Sequence, residues 1–175
     1  IVADNAAAFK AHPEYFALNA DGKRVTDQLC PTDPNVQRIV TANVLKILRA
    51  NPGTNIVSVS KNDNQTECHC DRCNKLRAAE GSEMANQLAL VNHVADAVAK
   101  QYPGVLVDTL AYLDTIPVPK TVRPRNNVVI RLCNDAVGAW VHPFTPAADC
   151  QIAPIINAWS KVHHRLFIWD YTVNF

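Results

Sequence analysis

Apolar positions recur at helical spacing from Val36 through Ile39, Val40, Val44 and Ile47 to Leu48, which predicts an amphipathic helix. Thr32-Asp33-Pro34 supplies its start: Asp33 can accept from the first free amides, and Pro34 occupies the first helical position, where a missing N–H costs nothing. Asn51-Pro52-Gly53 stops the helix, and the β-branched run Ile56 to Ser60 follows as a strand. The same grammar returns from Ser82, a candidate N-cap. Met84, Leu88, Val91, Val94, Ala95 and Val98 mark one helical face, Tyr102-Pro103-Gly104 ends it, and Val105 to Tyr112 reads as a strand. Val128 to Cys133 is a third strand, reached through a connection holding Pro117, Pro119 and Pro124. Ile152, Ile155, Ile156, Trp159 and Val162 form a further helix face before a fourth strand, Leu166 to Asp170. The first 30 residues lack strand periodicity, and Phe9 to Leu18 reads as loop with a helical turn.

Strands alternating with amphipathic helices imply right-handed crossovers and a parallel sheet, hence an α/β fold. Four such strands make a small open sheet or half of a (β/α)8 barrel. A whole TIM barrel takes roughly 250 residues, so 175 cannot hold one. The chain begins at Ile1 without Met and ends at Phe175 behind an apolar run, and residues 1–175 are expected to be a single domain, a central fragment of such a barrel.

Composition narrows the partners. The chain is 48% hydrophobic and 19% charged, ordinary for one globular domain, and 17 basic against 16 acidic residues leave a formal charge of +1. No Lys/Arg cluster suggests nucleic acid or an anionic membrane, and no apolar run reaches the roughly 18 residues of a membrane span. Six cysteines are many for this length and permit either a disulfide framework or a thiolate metal site.

Chemistry concentrates where the first strand ends. Ligand sites in parallel α/β folds lie beyond the carboxyl ends of the strands, which is where Asn62, Asp63 and Asn64 fall. Asp63 is one carboxylate, and Asn62 and Asn64 could orient it or grip hydroxyls; the competing reading is a turn whose side chains cap their own backbone. Trp169-Asp170-Tyr171 places an aromatic face, a carboxylate and a phenol at another strand end, against the alternative that the rings are buried and Asp170 makes a structural hydrogen bond. Asp114 and Asp135 lie just past the second and third strands. Tyr112 ends the second strand. Arg131, inside the third, needs an acidic partner: a substrate carboxylate such as a uronic acid, or Asp63, Asp108 or Asp170. Cys68, Cys70 and Cys73 suit a structural Zn2+ or a disulfide, and a metal would need a fourth ligand from His69, Cys30 or Cys133.

His12-Pro-Glu-Tyr-Phe-Ala-Leu18, Leu29-Cys-Pro-Thr-Asp-Pro34, Ser58-Val-Ser-Lys-Asn-Asp-Asn64, the Cys68/Cys70/Cys73 cluster, Leu110-Ala-Tyr112, Asn127 to Cys133 and Ile168-Trp-Asp-Tyr171 stand in an ordered series. That series resembles a bacterial secreted family, a domain of unknown function related to the alpha-glucuronidase and hexosaminidase type of glycoside hydrolase barrel. The resemblance implies the third connecting loop through the seventh strand of a barrel, a secreted or periplasmic location, and an oligo- or polysaccharide partner. It places Asp63 after the fourth strand, where related barrels carry their acid, with Asp170 as a possible second carboxylate. No cofactor is required for such chemistry. The remainder of the barrel would then complete the site. A non-catalytic carbohydrate-binding barrel, or a module built around the cysteines, is the alternative.

Overall fold

The computed structural model describes residues 5–134 and 152–170. A short helix, α1 (Asn5–Ala11), precedes an antiparallel pair, β1 (Phe16–Leu18) and β2 (Arg24–Leu29). Strand β1 corrects the expectation of a loop from Phe9 to Leu18, and the pair forms where the first 30 residues show no strand periodicity. The turn between its strands holds it together: Asn19 Oδ1 accepts from the amides of Asp21 and Lys23 at 3.1 and 2.8 Å, and Gly22 takes a φ of +75°. Three-residue β1 is too short to show alternation, so this element carried no periodic signal.

The expected αβ grammar follows. Helix α2 (Pro34–Ala50) starts at Asp33, whose carboxylate accepts from Asn35 N at 2.9 Å and Val36 N at 3.3 Å. Strand β3 (Ile56–Ser58) is shorter than its apolar run. Helix α3 (Asp71–Glu80) had no amphipathic pattern to betray it, only two of its residues being buried. Helix α4 (Met84–Gln101), strand β4 (Leu106–Ala111), strand β5 (Val128–Cys133), helix α5 (Ile152–Ser160) and strand β6 (Leu166–Trp169) complete the series. The four strands β3-β4-β5-β6 form one parallel sheet in sequence order. This is the mixed α/β arrangement of successive β/α units that the sequence predicts. Among the described residues no helix is long and apolar enough to cross a membrane.

Register and alternation divide the sheet into two faces. Val57, Val107, Ala111, Val128, Ile130 and Leu132 point toward Val44, Leu48, Leu88, Val91, Val98 and Trp159 of the helices, in one core. The opposite face carries Ser58, Asp108, Leu110, Arg131, Phe167 and Trp169. There Phe167 and Trp169 are 47% and 44% exposed.

The passage from β4 to β5 uses no α-helix. Residues 112–127 hold a single 3-10 turn, Leu113–Thr115, and otherwise pass over α3 and α4 as irregular chain with bends and a turn. Prolines prevent this segment from pairing its own backbone, so side chains below it do so. Glu80 accepts from Thr121 N and Val122 N at 2.7 and 2.9 Å. Asn92 donates to Arg123 O at 2.9 Å and accepts from Arg125 N at 3.0 Å. Asn127 Nδ2 donates to Ala95 O at 2.9 Å.

Candidate functional site

The carboxyl ends of β3, β4 and β5 open onto a recess of about 190 Å³, lined by Lys61, Asn62, Asp63, Asn64, Tyr112, Asp114 and Trp169 among others. Three segments build it. The loop after β3 is tied down to β2: Asn62 Nδ2 donates to Asp27 O at 2.5 Å, Asn62 N to Gln28 Oε1 at 3.2 Å, and Gln28 Nε2 to Asn64 Oδ1 at 3.1 Å. Asn64 Oδ1 also accepts from Thr66 N at 3.0 Å, which is the turn-capping role weighed from the sequence. Asn62 and Asn64 are therefore largely committed to the protein. Between them Asp63 is exposed and has no hydrogen-bond partner among the described residues.

The second segment follows β4. Leu113 takes a φ of +51°, in the left-handed region a branched side chain rarely enters, and so turns Asp114 inward. Asp114 Oδ2 meets Lys61 Nζ at 2.5 Å, each side chain only 15% exposed, while its Oδ1 is buried without a hydrogen-bond partner. An ion pair with one oxygen unsatisfied, in the wall of a recess, is a place a ligand hydroxyl can occupy. Lys61 is a site residue the sequence reading passed over, since a lysine just past a strand carries no signal of its own.

The third segment is the sheet face itself. Arg131 Nη2 lies 2.5 Å from Asp108 Oδ2, settling which of the three acids it pairs with, and its guanidinium carbon sits 5.4 Å from the Trp169 ring centre. Asp170 Oδ1 accepts from Asn134 Nδ2 at 2.7 Å. Asp170 lines a separate shallow opening with Arg131 and Trp169, so Trp169 borders both depressions while Asp63 and Asp170 border one each. Tyr171 and Asp135 lie outside the described residues.

Below the rim is a second cavity of about 290 Å³, lined by Gln28, Ser60, Lys61, Asn62, Cys68, Glu83, Gln87 and Thr115 among others. Burial pushes the Glu83 carboxyl above its ordinary value, against the pull of Asn86 Nδ2 at 2.7 Å and Arg77 Nε at 2.9 Å. Gln87 Nε2 donates to Val59 O and to Thr109 Oγ1, closing the cavity floor.

The cysteines form a distinct centre. Cys30 at the end of β2 joins Cys68, Cys70 and Cys73, with all four sulfurs within 4.8 Å of one another. This buried group could hold a metal ion. Cys30 is thus the fourth member, while Cys133 belongs to the rim recess. No disulfide links the four; Cys30 Sγ is 3.6 Å from Cys70 Sγ and 3.9 Å from Cys73 Sγ. Hydrogen bonds from the Cys68 and Cys73 thiols bring Cys30 far below the ordinary thiol value; donating to it pushes Cys68 up to about 11 and Cys73 higher still.

A family model described as a domain of unknown function (DUF4838) matches residues 1–175. No curated protein matches the chain.

Proposed function

The chain belongs to the DUF4838 family, and from that premise we propose that it is part of a glycoside hydrolase-like (β/α)8 barrel acting on glycosidic bonds through carboxylates at its strand ends. The carrying observation is the recess shared by Asp63, Asp114, Tyr112 and Trp169 at the carboxyl ends of parallel strands. Asp63, exposed and uncommitted, serves as the acid/base, with Asn62 and Asn64 fixing the loop beneath it. Trp169 offers the stacking face for a sugar ring, and Tyr112, Arg131 and Tyr171 add polar contacts. Asp170 is one candidate for the second carboxylate. Asp114 is the other, favoured because it shares the recess with Asp63.

The sheet face opposite the helices supports the barrel reading, because Phe167 and Trp169 are partly exposed on it. Parallel sheets are ordinarily covered on both sides. Further strands, from the remainder of the same barrel, would pair beyond β6 and bury Phe167 and Trp169. Secretion or a periplasmic location accords with a polysaccharide substrate.

Hydrolysis of chromogenic aryl glycosides, aryl glucuronides included, tests the proposal. Asp63→Asn should abolish turnover and retain oligosaccharide binding. Asp114→Asn and Asp170→Asn then identify the second group by which one shows a comparable loss. Unchanged turnover in Asp63→Asn would sink the catalytic assignment. Saccharide binding with no turnover in the parent protein would favour a carbohydrate-binding barrel instead.

A further inference from the structure

We propose that Cys30, Cys68, Cys70 and Cys73 bind one Zn2+ as a tetrathiolate site, and that this ion fastens the β1–β2 pair to the loop carrying Asn62, Asp63 and Asn64. Zinc holds thiolate sulfur at about 2.3 Å in a tetrahedron, whose edges are then about 3.8 Å. The Cys30–Cys70 and Cys30–Cys73 separations, 3.6 and 3.9 Å, bracket that edge. Four soft donors and no carboxylate or imidazole select zinc over the hard cations.

The surroundings fit a thiolate centre. Cys30, Cys68 and Cys73 are buried, and Cys70 is partly covered. Thr32 Oγ1 is 3.0 Å from Cys73 Sγ. Cys70 caps α3, so its sulfur stands at the positive end of a ten-residue helix. Arg77 Nη2 donates to Cys68 O at 2.7 Å, which brings a guanidinium beside the cluster to offset part of the double negative charge of a Zn(Cys)4 centre.

Packing gives an independent argument. Leu29 at the end of β2 packs on the main core, but the cluster between the β1–β2 pair and the loop at 68–73 is Ala17 and three of these cysteines, with Leu18, Val25 and Cys70 packed against them. So small an apolar group gives little burial energy to hold a hairpin against a neighbouring loop. A metal supplies the missing cohesion. The fastening reaches the rim within a few residues: Asp27 and Gln28, which hold Asn62 and Asn64, precede Cys30 on β2, and Cys68 follows the same loop.

The test begins with metal analysis of protein expressed in zinc-supplemented medium. One zinc per chain is expected, released in step with modification of four thiols by an organomercurial. Exchange for Co2+ should give the intense visible absorption of a tetrahedral thiolate complex. Cys70→His, which keeps four donors, should retain the metal with a shifted Co2+ spectrum, whereas Cys70→Ala should lose it and Cys133→Ser should not. Chelation should speed amide exchange in residues 24–30 and 59–73 while leaving β4 and β5 protected. Substoichiometric metal with no cobalt charge-transfer band, or a disulfide within the four in the freshly purified protein, would overturn the site. Retained protection at residues 59–73 after chelation would overturn its role in holding the rim.

Discussion

Glu80 offers the sharpest test of how the Pro-rich crossover is held. Its Oε2 accepts from the amides of Thr121 and Val122, and its Oε1 accepts from the Thr121 hydroxyl at 2.5 Å. Glu80→Ala removes all three bonds and leaves two backbone donors without a partner. At about 1 kcal/mol each, the loss is about 3 kcal/mol, a fall in Tm of about 6–12 °C for a chain this size. Glu80→Gln behaves differently: its amide oxygen can accept both amides and its NH2 can donate to the hydroxyl, so only the charge is lost, about 1 kcal/mol. The charge also gives a pH signature. The Thr121 hydroxyl, then the two amides, hold the Glu80 carboxyl below its ordinary value of 4.5. As pH falls the unfolded chain takes up that proton first, so the stabilisation is full at neutral pH and disappears through the lower, folded value. Urea unfolding should therefore show a gap between parent and Glu80→Gln at about pH 7 that narrows as pH falls below the ordinary value of 4.5. Equal damage from Ala and Gln, or a gap that ignores pH, would refute the reasoning.

Four further outcomes follow from the same geometry. Arg131→Met leaves Asp108, 2% exposed, without its cation and should cost about 3–5 kcal/mol, most of it recovered in the Asp108→Asn/Arg131→Met double variant, as measured by denaturant midpoints. Asp33→Ala removes the cap of α2 and its 2.6 Å contact with Arg72, and should lower stability by about 1–2 kcal/mol in the same assay. Trp159→Phe keeps the ring in the core but loses the 2.9 Å bond to Ile116 O, so calorimetry should register a loss of about 1–2 kcal/mol. Burial holds His163 neutral below its ordinary value of 6.5, with its ring nitrogen on Val128 O, so acidification below about 6.5 should weaken the parent protein and spare His163→Gln.

The elements with apolar periodicity were legible in the sequence: α2 and α4 with their stop signals, and Val128–Cys133 to the residue. What escaped were pieces held by other means. The β1–β2 pair rests on an Asn turn and on cysteines, and α3 exposes most of its surface, so neither writes a pattern of hydrophobicity. In the site, the Cys68-x-Cys-x-x-Cys73 spacing announced a cluster, but Cys30 is 38 residues before Cys68 and only tertiary structure identifies it as the fourth sulfur. The Lys61–Asp114 pair is likewise a meeting of two loops 53 residues apart. Asn62 and Asn64 stood out as ligand-binding types, yet hydrogen bonding to Asp27 and Gln28 is what occupies them.

The order of strands in the sheet is the order in which a ribosome would deliver them. Each strand after β3 adds beside the one made just before it, so no pairing waits for a distant segment and no loop longer than one crossover has to close. The sheet can therefore grow in one direction during synthesis, with its newest edge always the docking edge for the next strand. Vectorial growth makes β6 the most vulnerable point of the nascent chain, because it is the last-made edge of the described sheet and Phe167, Ile168 and Trp169 are partly exposed on it. A pause in translation just past residue 170 would expose that edge longest, and chaperone capture or self-association would concentrate there.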